Sequence, residues 1–260
     1  VQQQPLGSHV PSEVDSAGPQ VSGIARRIVS AISLGMLTVG ERLPTEAELA
    51  SQFGVAVATL RKALATLRAQ GVVETRRGRN GGTFIVEAPF PTSDMLTESL
   101  RNTSLVALRD FFDEQAAVSG MAARLAAERT PPQMRTRLAE FAFQAREARS
   151  VRDRAMADSR FHFEVAVLSQ SPRLLASERR LQSELAPFLW CEDICRASVQ
   201  NAFSEHVALA LVIEQRQAEE AQRLAVKHVH DNMRLIIAGK LALNRAHSLA
   251  ANESEQELTA

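Results

Sequence analysis

Two short β-prone runs, Val72-Val73-Glu74-Thr75 and Thr83-Phe84-Ile85-Val86, are the only paired ones in this 260-residue chain. They flank a basic, glycine-rich tip, Arg76-Arg77-Gly78-Arg79-Asn80-Gly81-Gly82, whose Asn-Gly suits a hairpin turn. Everything else with a regular apolar period reads as helix, so the fold class is mainly α with one small β-hairpin.

Before the hairpin, helix boundaries are marked by known start and stop signals. From Ser22 the residues Ile24, Ile28 and Ile32 recur four apart, with Gly35 as a C-terminal stop. Thr45-Glu46-Ala47-Glu48 reads as a capping box ahead of Leu49, Ala50 and Phe53. Gly54 ends that short helix, and a third runs from about Val57 to Gln70, closed by Gly71. A short helix, a glycine turn and a second helix have the spacing of a helix-turn-helix, and the hairpin that follows makes it a winged one.

Beyond Pro89 and Pro91 the chain predicts helices over 94–101, 104–129, 132–149, 151–168, 172–197, 201–215 and 218–241. The expected organisation is a disordered arm over 1–20 and a winged helix-turn-helix over 21–87. A linker over 88–103 leads to an all-α bundle of six to seven helices over 104–241, then a flexible tail over 242–260.

Charge separates the two halves. The whole chain carries 30 basic and 30 acidic residues, which taken alone argues against nucleic acid. Between Pro19 and Val86, however, nine basic residues face four acidic ones, a net +5, leaving −5 for the remainder. A basic small domain is tied to an acidic helical one, and the basic one suits a DNA backbone. Hydrophobic residues at 45% and charged residues at 23% exclude wholesale disorder. No run approaches the ~18 apolar residues of a membrane helix, and Val1 to Val10 lack signal-peptide blocks. With only Cys191 and Cys195, read as small buried thiols, a cytoplasmic location is expected.

Four histidines and one acid carry the second signal. Asp158 and His162 are four apart in a helical stretch and share a face. His206 and His228 lie eleven residues either side of a turn near Gln217, which puts them level on two antiparallel helices. Together they are expected to hold one divalent transition metal, with zinc ahead of nickel, manganese and iron. His230 points to a different side. Glu164 and Glu205 are read as pointing away from the site, Leu174, Leu181, Leu185 and Leu189 as core, and Glu178-Arg179-Arg180 as a solvated face.

The run Gly40-Glu41-Arg42-Leu43-Pro44-Thr45-Glu46-Ala47-Glu48-Leu49-Ala50 resembles the GntR family of bacterial repressors. So do Phe53-Gly54-Val55, Thr59-Leu60-Arg61-Lys62-Ala63-Leu64 and Gly81-Gly82-Thr83-Phe84, and together they cover about 21–87. The resemblance implies that Thr59 meets phosphate, Arg61 enters the major groove, and Gly81 and Gly82 approach the minor groove. Thr45, Lys62, Arg76, Arg77 and Arg79 complete the expected DNA-contacting set. Ala47 stands where that family usually has Arg, and Ala56-Val57 where it has Ser-Arg. Losing the serine N-cap costs ~1 kcal/mol.

Residues 93–241 resemble the FadR C-terminal domain, FCD. Its metal-binding members carry an Asp-x-x-x-His and two later histidines, matched by Asp158, His162, His206 and His228. Arg109, Asp113, Ala116, Ala117, Ala122 and Ala123 match its early helix, and the resemblance implies that Arg109 pairs with an effector carboxylate.

The resulting expectation is a homodimeric repressor, not an enzyme, binding palindromic operator DNA under control of a small organic acid at the metal, with no membrane contact. Two alternatives stand beside it. One is a metal-dependent hydrolase or lyase using the Asp/His site; the other is a constitutive DNA-binding dimer with a structural metal.

Overall fold

The computed structural model describes residues 19–33, 37, 39–78, 81–87, 90–130, 137–195 and 199–258. Most of the expected arm, the wing residue Arg79 and the Pro131-Pro132 helix start lie outside them. The described residues form two compact units, one ending at Phe90 and one beginning at Pro91.

In the first unit, α1 (Pro19–Ser33) starts three residues before the expected Ser22, because proline suits a first helical turn. Its Ile24, Ile28 and Ile32 point inward. The capping box of α2 (Glu46–Phe53) is fully formed. Thr45 Oγ1 accepts the Glu48 N–H at 3.3 Å, and Glu48 Oε2 accepts the Thr45 N–H at 2.8 Å. Gly54 adopts φ 65° and turns the chain into α3 (Val57–Ala69). Ala56 caps α3 without a side-chain hydrogen bond, as its sequence implies. The strands β1 (Val73–Arg76) and β2 (Gly82–Ile85) pair antiparallel, Val73 opposite Ile85 and Arg76 opposite Gly82. Leu49, Leu60, Leu64, Leu67, Val73 and Ile85 close one core with the α1 isoleucines.

The second unit holds seven helices among the described residues: α4 (Ser93–Asn102), α5 (Leu105–Arg129), α6 (Arg137–Glu147), α7 (Val151–Leu168), α8 (Pro172–Leu189), α9 (Val199–Glu214) and α10 (Ala218–Leu258). Thr92, Ser104, Ser150 and Ser171 each accept a backbone N–H at a helix start, the role short hydroxyl side chains fill best. The core is built around Ala123, Ala126, Ala127, Leu138, Phe161, Val165, Leu209 and Ile213. Small residues let α5 lie close along α10: a Cβ on Gly120 would stand 2.7 Å from Val226 Cγ2.

Helix α4 forms where the helix over 94–101 was expected, within the segment also read as a linker, and Lys240 Nζ of α10 donates to its Leu100 and Arg101 carbonyls, each at 2.8 Å. Two boundaries differ from expectation. Helix α8 ends at Leu189 rather than 197. Pro187 removes a hydrogen bond from its last turn. The following residues instead form a tight turn, with Cys195 N–H on Cys191 O at 2.8 Å. That turn meets α10 where a Cβ on Gly239 would lie 2.0 Å from Ile194 O. Finally, α10 runs to Leu258, through the segment expected to be a flexible tail. Residues 242–258 are polar, but they contain no Gly or Pro and are rich in Ala, Leu and Glu, so helix propensity carries the helix on. No helix of the described residues is long and apolar enough to cross a membrane.

Candidate metal centre and DNA-reading face

Arg61, Lys62 and Thr59 sit on the first two turns of α3, with Thr59 half-buried and the two basic side chains exposed. Arg61 Nε is 2.6 Å from Glu46 Oε2 on α2, a pair the spacing of fifteen residues did not reveal. Arg61 is exposed and Glu46 partly so, and at the surface the pair is worth at most ~1 kcal/mol and yields readily to a stronger anion. On the wing, Arg77 is exposed, while Arg76 pairs with Glu74 at 2.6 Å and covers the Phe84 ring at 4.4 Å. Gly81 is required by its surroundings, since a Cβ there would stand 2.5 Å from Arg76 O. Gly82 lies under Arg42, whose Nε would be 2.6 Å from an added Cβ, so Arg42 braces the wing from the segment before α2. Thr45 is exposed, but its hydroxyl is engaged in the capping box.

The second unit brings the expected metal ligands together. Asp158 and His162 come from α7, His206 from α9 and His228 from α10, and all four are buried. One ring nitrogen from each histidine lies within 4.8 Å of the others. Asp158 Oδ2 is 3.9 Å from His162 Nε2, and Asp158 Oδ1 is 3.7 Å from His206 Nε2. Those gaps are too long for hydrogen bonds. Asp158 Oδ1 and both nitrogens of His206 have no hydrogen-bond partner at all.

Orphaned polar atoms in a dry interior are costly, and a shared cation satisfies them. Three imidazoles and one carboxylate suit a divalent transition ion at ~2.0–2.2 Å from each ligand, so the residues present fit one. Burial pushes the His162 and His206 imidazoles well below 6.5, which keeps their lone pairs available. Burial also raises the Asp158 carboxyl to about 6, opposed by the charge of His228 and by the Trp190 indole. That indole N–H has no partner within hydrogen-bond reach and acts from farther away. Phe161 stacks on His206 with ring centroids 4.1 Å apart and holds its plane. His230 stays outside the cluster, as its spacing implied.

Two acids are not where they were expected. Glu205 accepts from His228 Nδ1 at 2.7 Å rather than pointing elsewhere. It directly precedes His206 on α9, and only the pairing of α9 with α10 brings it to His228. Glu178 is buried rather than solvated, with Oε2 accepting from Ser119 Oγ at 2.8 Å and Oε1 from Gln182 Nε2 at 3.1 Å. Its spacing from Leu181 and Leu185 places it on the apolar stripe of α8, which was the signal available in the sequence. Leu181, Leu185 and Leu189 are core as expected, and Leu174 is partly buried.

Burial pushes the Glu178 carboxyl from 4.5 up to about 6, against the lowering effect of Gln182, Ser119 and His228. From pH 4.5 to about 6 the folded chain keeps a proton there that the unfolded chain has released. Stability therefore falls as pH rises through that window, by up to about 2 kcal/mol. Glu178→Gln stays neutral and is expected to lack that slope. In thermal melts with chelator present, the difference in Tm between variant and wild type moves in the variant's favour from pH 4.5 to 7. Parallel profiles would show that Glu178 is not the group responsible.

Glu178, Ser119, His162 and His228 line a small cavity of about 10 Å³. That is room for about one water or one ion. Arg109, expected to face this pocket, is exposed instead and does not line it. Ser119 and Ala122 are the α5 residues that do, and Ser119 lies ten residues on, about 15 Å along the helix axis. Cys191 and Cys195 are buried free thiols, and burial pushes the Cys195 thiol up to about 12, which leaves it unreactive.

Comparison with known proteins follows the same division. Residues 20–85 match the family described as bacterial regulatory proteins, gntR family, and residues 110–231 match the FCD domain. A protein of Mycobacterium gastri named as an HTH-type transcriptional regulator, RmpR, is 45% identical over 231 residues, covering 88% of this chain and 84% of its own. The Glc operon transcriptional activator of Escherichia coli (strain K12) is 28% identical over 231 residues, covering 83% of this chain and 88% of its own. Among solved structures, E. coli McbR/YncC aligns with 88% of this chain and 99% of its own at 18% identity and a TM-score of 0.49.

Proposed function

The chain belongs to the gntR family of bacterial regulatory proteins, with an FCD domain behind its DNA-reading unit, and from that premise we propose a metal- and ligand-controlled repressor. The family makes it a DNA-binding transcriptional regulator rather than an enzyme, which sets aside the hydrolase or lyase alternative. In the proposal, the chain acts in the cytoplasm as a homodimer on a palindromic operator, two protein half-sites meeting two DNA half-sites. Helix α3 enters the major groove with Arg61 at the bases, while Thr59, Lys62 and the wing basic residues meet the backbone.

The observation that carries the control site is the pair of orphaned atoms, Asp158 Oδ1 and His206 Nε2, facing each other at 3.7 Å. Asp158, His162, His206 and His228 would hold one divalent ion, zinc first among zinc, nickel, manganese and iron. Bound there, the ion supplies open coordination positions for the oxygens of a small carboxylate. Glu205 holds the His228 ring through Nδ1, as carboxylates beside metal-binding histidines do. Glu178 and Ser119 present hydrogen-bonding groups to whatever enters beside the imidazoles. The carboxylate contact falls to the ion, because Arg109 is on the surface.

A cavity of about 10 Å³ does not admit an organic acid without movement. Ligand entry must spread the helices that line it, α5, α7, α8, α9 and α10, so binding and rearrangement are coupled. Helix α10 extends from His228 to Lys240, which is bonded to the end of α4, the first helix after the boundary between units. That continuity gives the pocket a rigid route to α4.

The proposal is tested by fluorescence anisotropy on DNA from the chain's own promoter, with zinc, with chelator, and with zinc plus small carboxylates. An affinity change of about 5–150-fold is expected from at least one addition. If none alters operator affinity, the constitutive dimer with a structural ion replaces it. In vitro transcription in the same series reads the direction of control, and activation in place of repression would overturn the repressor part.

A further inference from the structure

His228 differs from His206 in one respect that bears on ion binding. Both its ring nitrogens already have protein partners: Nδ1 is 2.7 Å from Glu205 Oε2, and Nε2 is 3.1 Å from Asn232 Nδ2. His206 has neither nitrogen engaged. The tautomer of His228 follows from its partners. An ionised carboxylate can only accept, so Nδ1 carries the proton and donates to Glu205. Lys227 Nζ, 3.2 Å from Glu205 Oε1, supports the ionised form. An ion needs the neutral ring, whose one N–H then sits on Nδ1; that leaves the lone pair on Nε2, the nitrogen the Asn232 amide occupies.

An ion competing for His228 therefore has one choice. Nδ1 has no free lone pair, and its bond to a charged carboxylate is the stronger of the two. Nε2 has the lone pair, held by a neutral amide. We propose that Asn232 sets the ion affinity of the centre, because its amide occupies the His228 nitrogen that an ion would take. This rests on reading Asp158, His162, His206 and His228 as ion ligands.

The placement of Asn232 makes the competition hard to avoid. It stands four residues after His228 on α10, so the two side chains share one face of the helix. It is buried at 6% exposure, and an amide turned away from Nε2 must find another acceptor within the protein. A buried donor left without one costs more than the hydrogen bond it gave up. Asn232 thus lowers affinity on both sides of the exchange, and ion occupancy then follows ion supply instead of remaining saturated. Glu205 acts in the opposite sense: by fixing the proton on Nδ1 it keeps Nε2 available as a base.

The full chain, stripped with chelator, is titrated with zinc alone against a chromophoric competitor. Asn232→Ala and the closer isostere Asn232→Leu are expected to bind zinc about five- to tenfold more tightly than wild type, the equivalent of one hydrogen bond. Glu205→Gln is expected to bind about tenfold more weakly, as outer carboxylates on metal histidines do. Imidazole nitrogen NMR of the zinc-free wild type is expected to show His228 protonated at Nδ1. Equal or weaker zinc binding in both Asn232 variants overturns the role of Asn232 alone. A proton on Nε2 of His228 does the same. A wild-type chain that binds no zinc, nickel, manganese or iron overturns the metal centre and this inference together.

Discussion

Alanine at His206 is expected to weaken zinc binding by at least about a hundredfold, beyond the effect typical of losing an outer partner. His206 is 1% exposed, stacks on Phe161 and faces Asp158, so no water or neighbouring side chain can take its place without rearrangement. The consequence for stability is separable from packing. At an ion concentration about one hundred times the wild-type Kd, binding stabilises the fold by about 2.7 kcal/mol. Alanine forfeits that gain. In chelator the variant also loses the stacking contact, but it no longer buries two unsatisfied nitrogens, so these two effects oppose each other. The expected result is a large zinc-dependent rise in Tm for wild type and almost none for His206→Ala, with the two melting close together in chelator. A variant stabilised by zinc as much as wild type would remove His206 from the centre.

The second large effect is expected at Arg61. Ala47 and Val57 leave the start of α2 and of α3 without the two arginines that the resemblance implies there. Arg68, farther along α3, is occupied by Thr75 at 2.9 Å. Arg61 is thus the arginine on α3 with an exposed and weakly held guanidinium, paired only with Glu46 at the surface. One bidentate contact to guanine discriminates by ~1–3 kcal/mol, or about 5–150-fold. Arg61→Ala is expected to lower operator affinity by that factor while leaving binding to scrambled DNA reduced only modestly. The salt dependence should change by no more than about one phosphate equivalent. Anisotropy on operator and scrambled duplexes at two salt concentrations reads both quantities. An unchanged footprint would mean that specificity lies in the wing or in DNA shape.

Local patterns predicted the order and kind of the elements in the DNA-reading unit. The four-residue period of Ile24, Ile28 and Ile32, the capping box at Thr45 and the hairpin across Gly81-Gly82 each depend on neighbours a few positions away. Asp158 with His162 is local in the same way, since one helical turn separates them. Bringing in His206 and His228 required only that two helices joined by a short turn run antiparallel, and their equal distance from that turn did the rest.

Residues whose roles depend on a distant partner were misread, and always for that reason. Glu178 was assigned to a solvated face by its charge, although its position on the leucine stripe said otherwise. Ser119, 59 residues away, supplies one of the donors that make its burial tolerable. Arg109 was drawn into the pocket by resemblance, but the register of α5 against its neighbours presents Ser119 there instead. Glu205 and Asn232 look like ordinary polar helix residues until α9 and α10 pair across His228.

What the amino-acid order determined alone is therefore the class of fold, the two-part organisation, the faces of the helices and the histidine cluster that one helical turn and one antiparallel pair can bring together. What only the tertiary structure decided is which hydrogen bonds complete those ligands, which buried acid lines the cavity and how small that cavity is. The difference is physical. Periodicity and capping are interactions over a few residues and leave a mark in the sequence at fixed spacing. Desolvation and hydrogen bonding between helices depend on how far each helix slides and turns against the next, and no spacing along the chain records that.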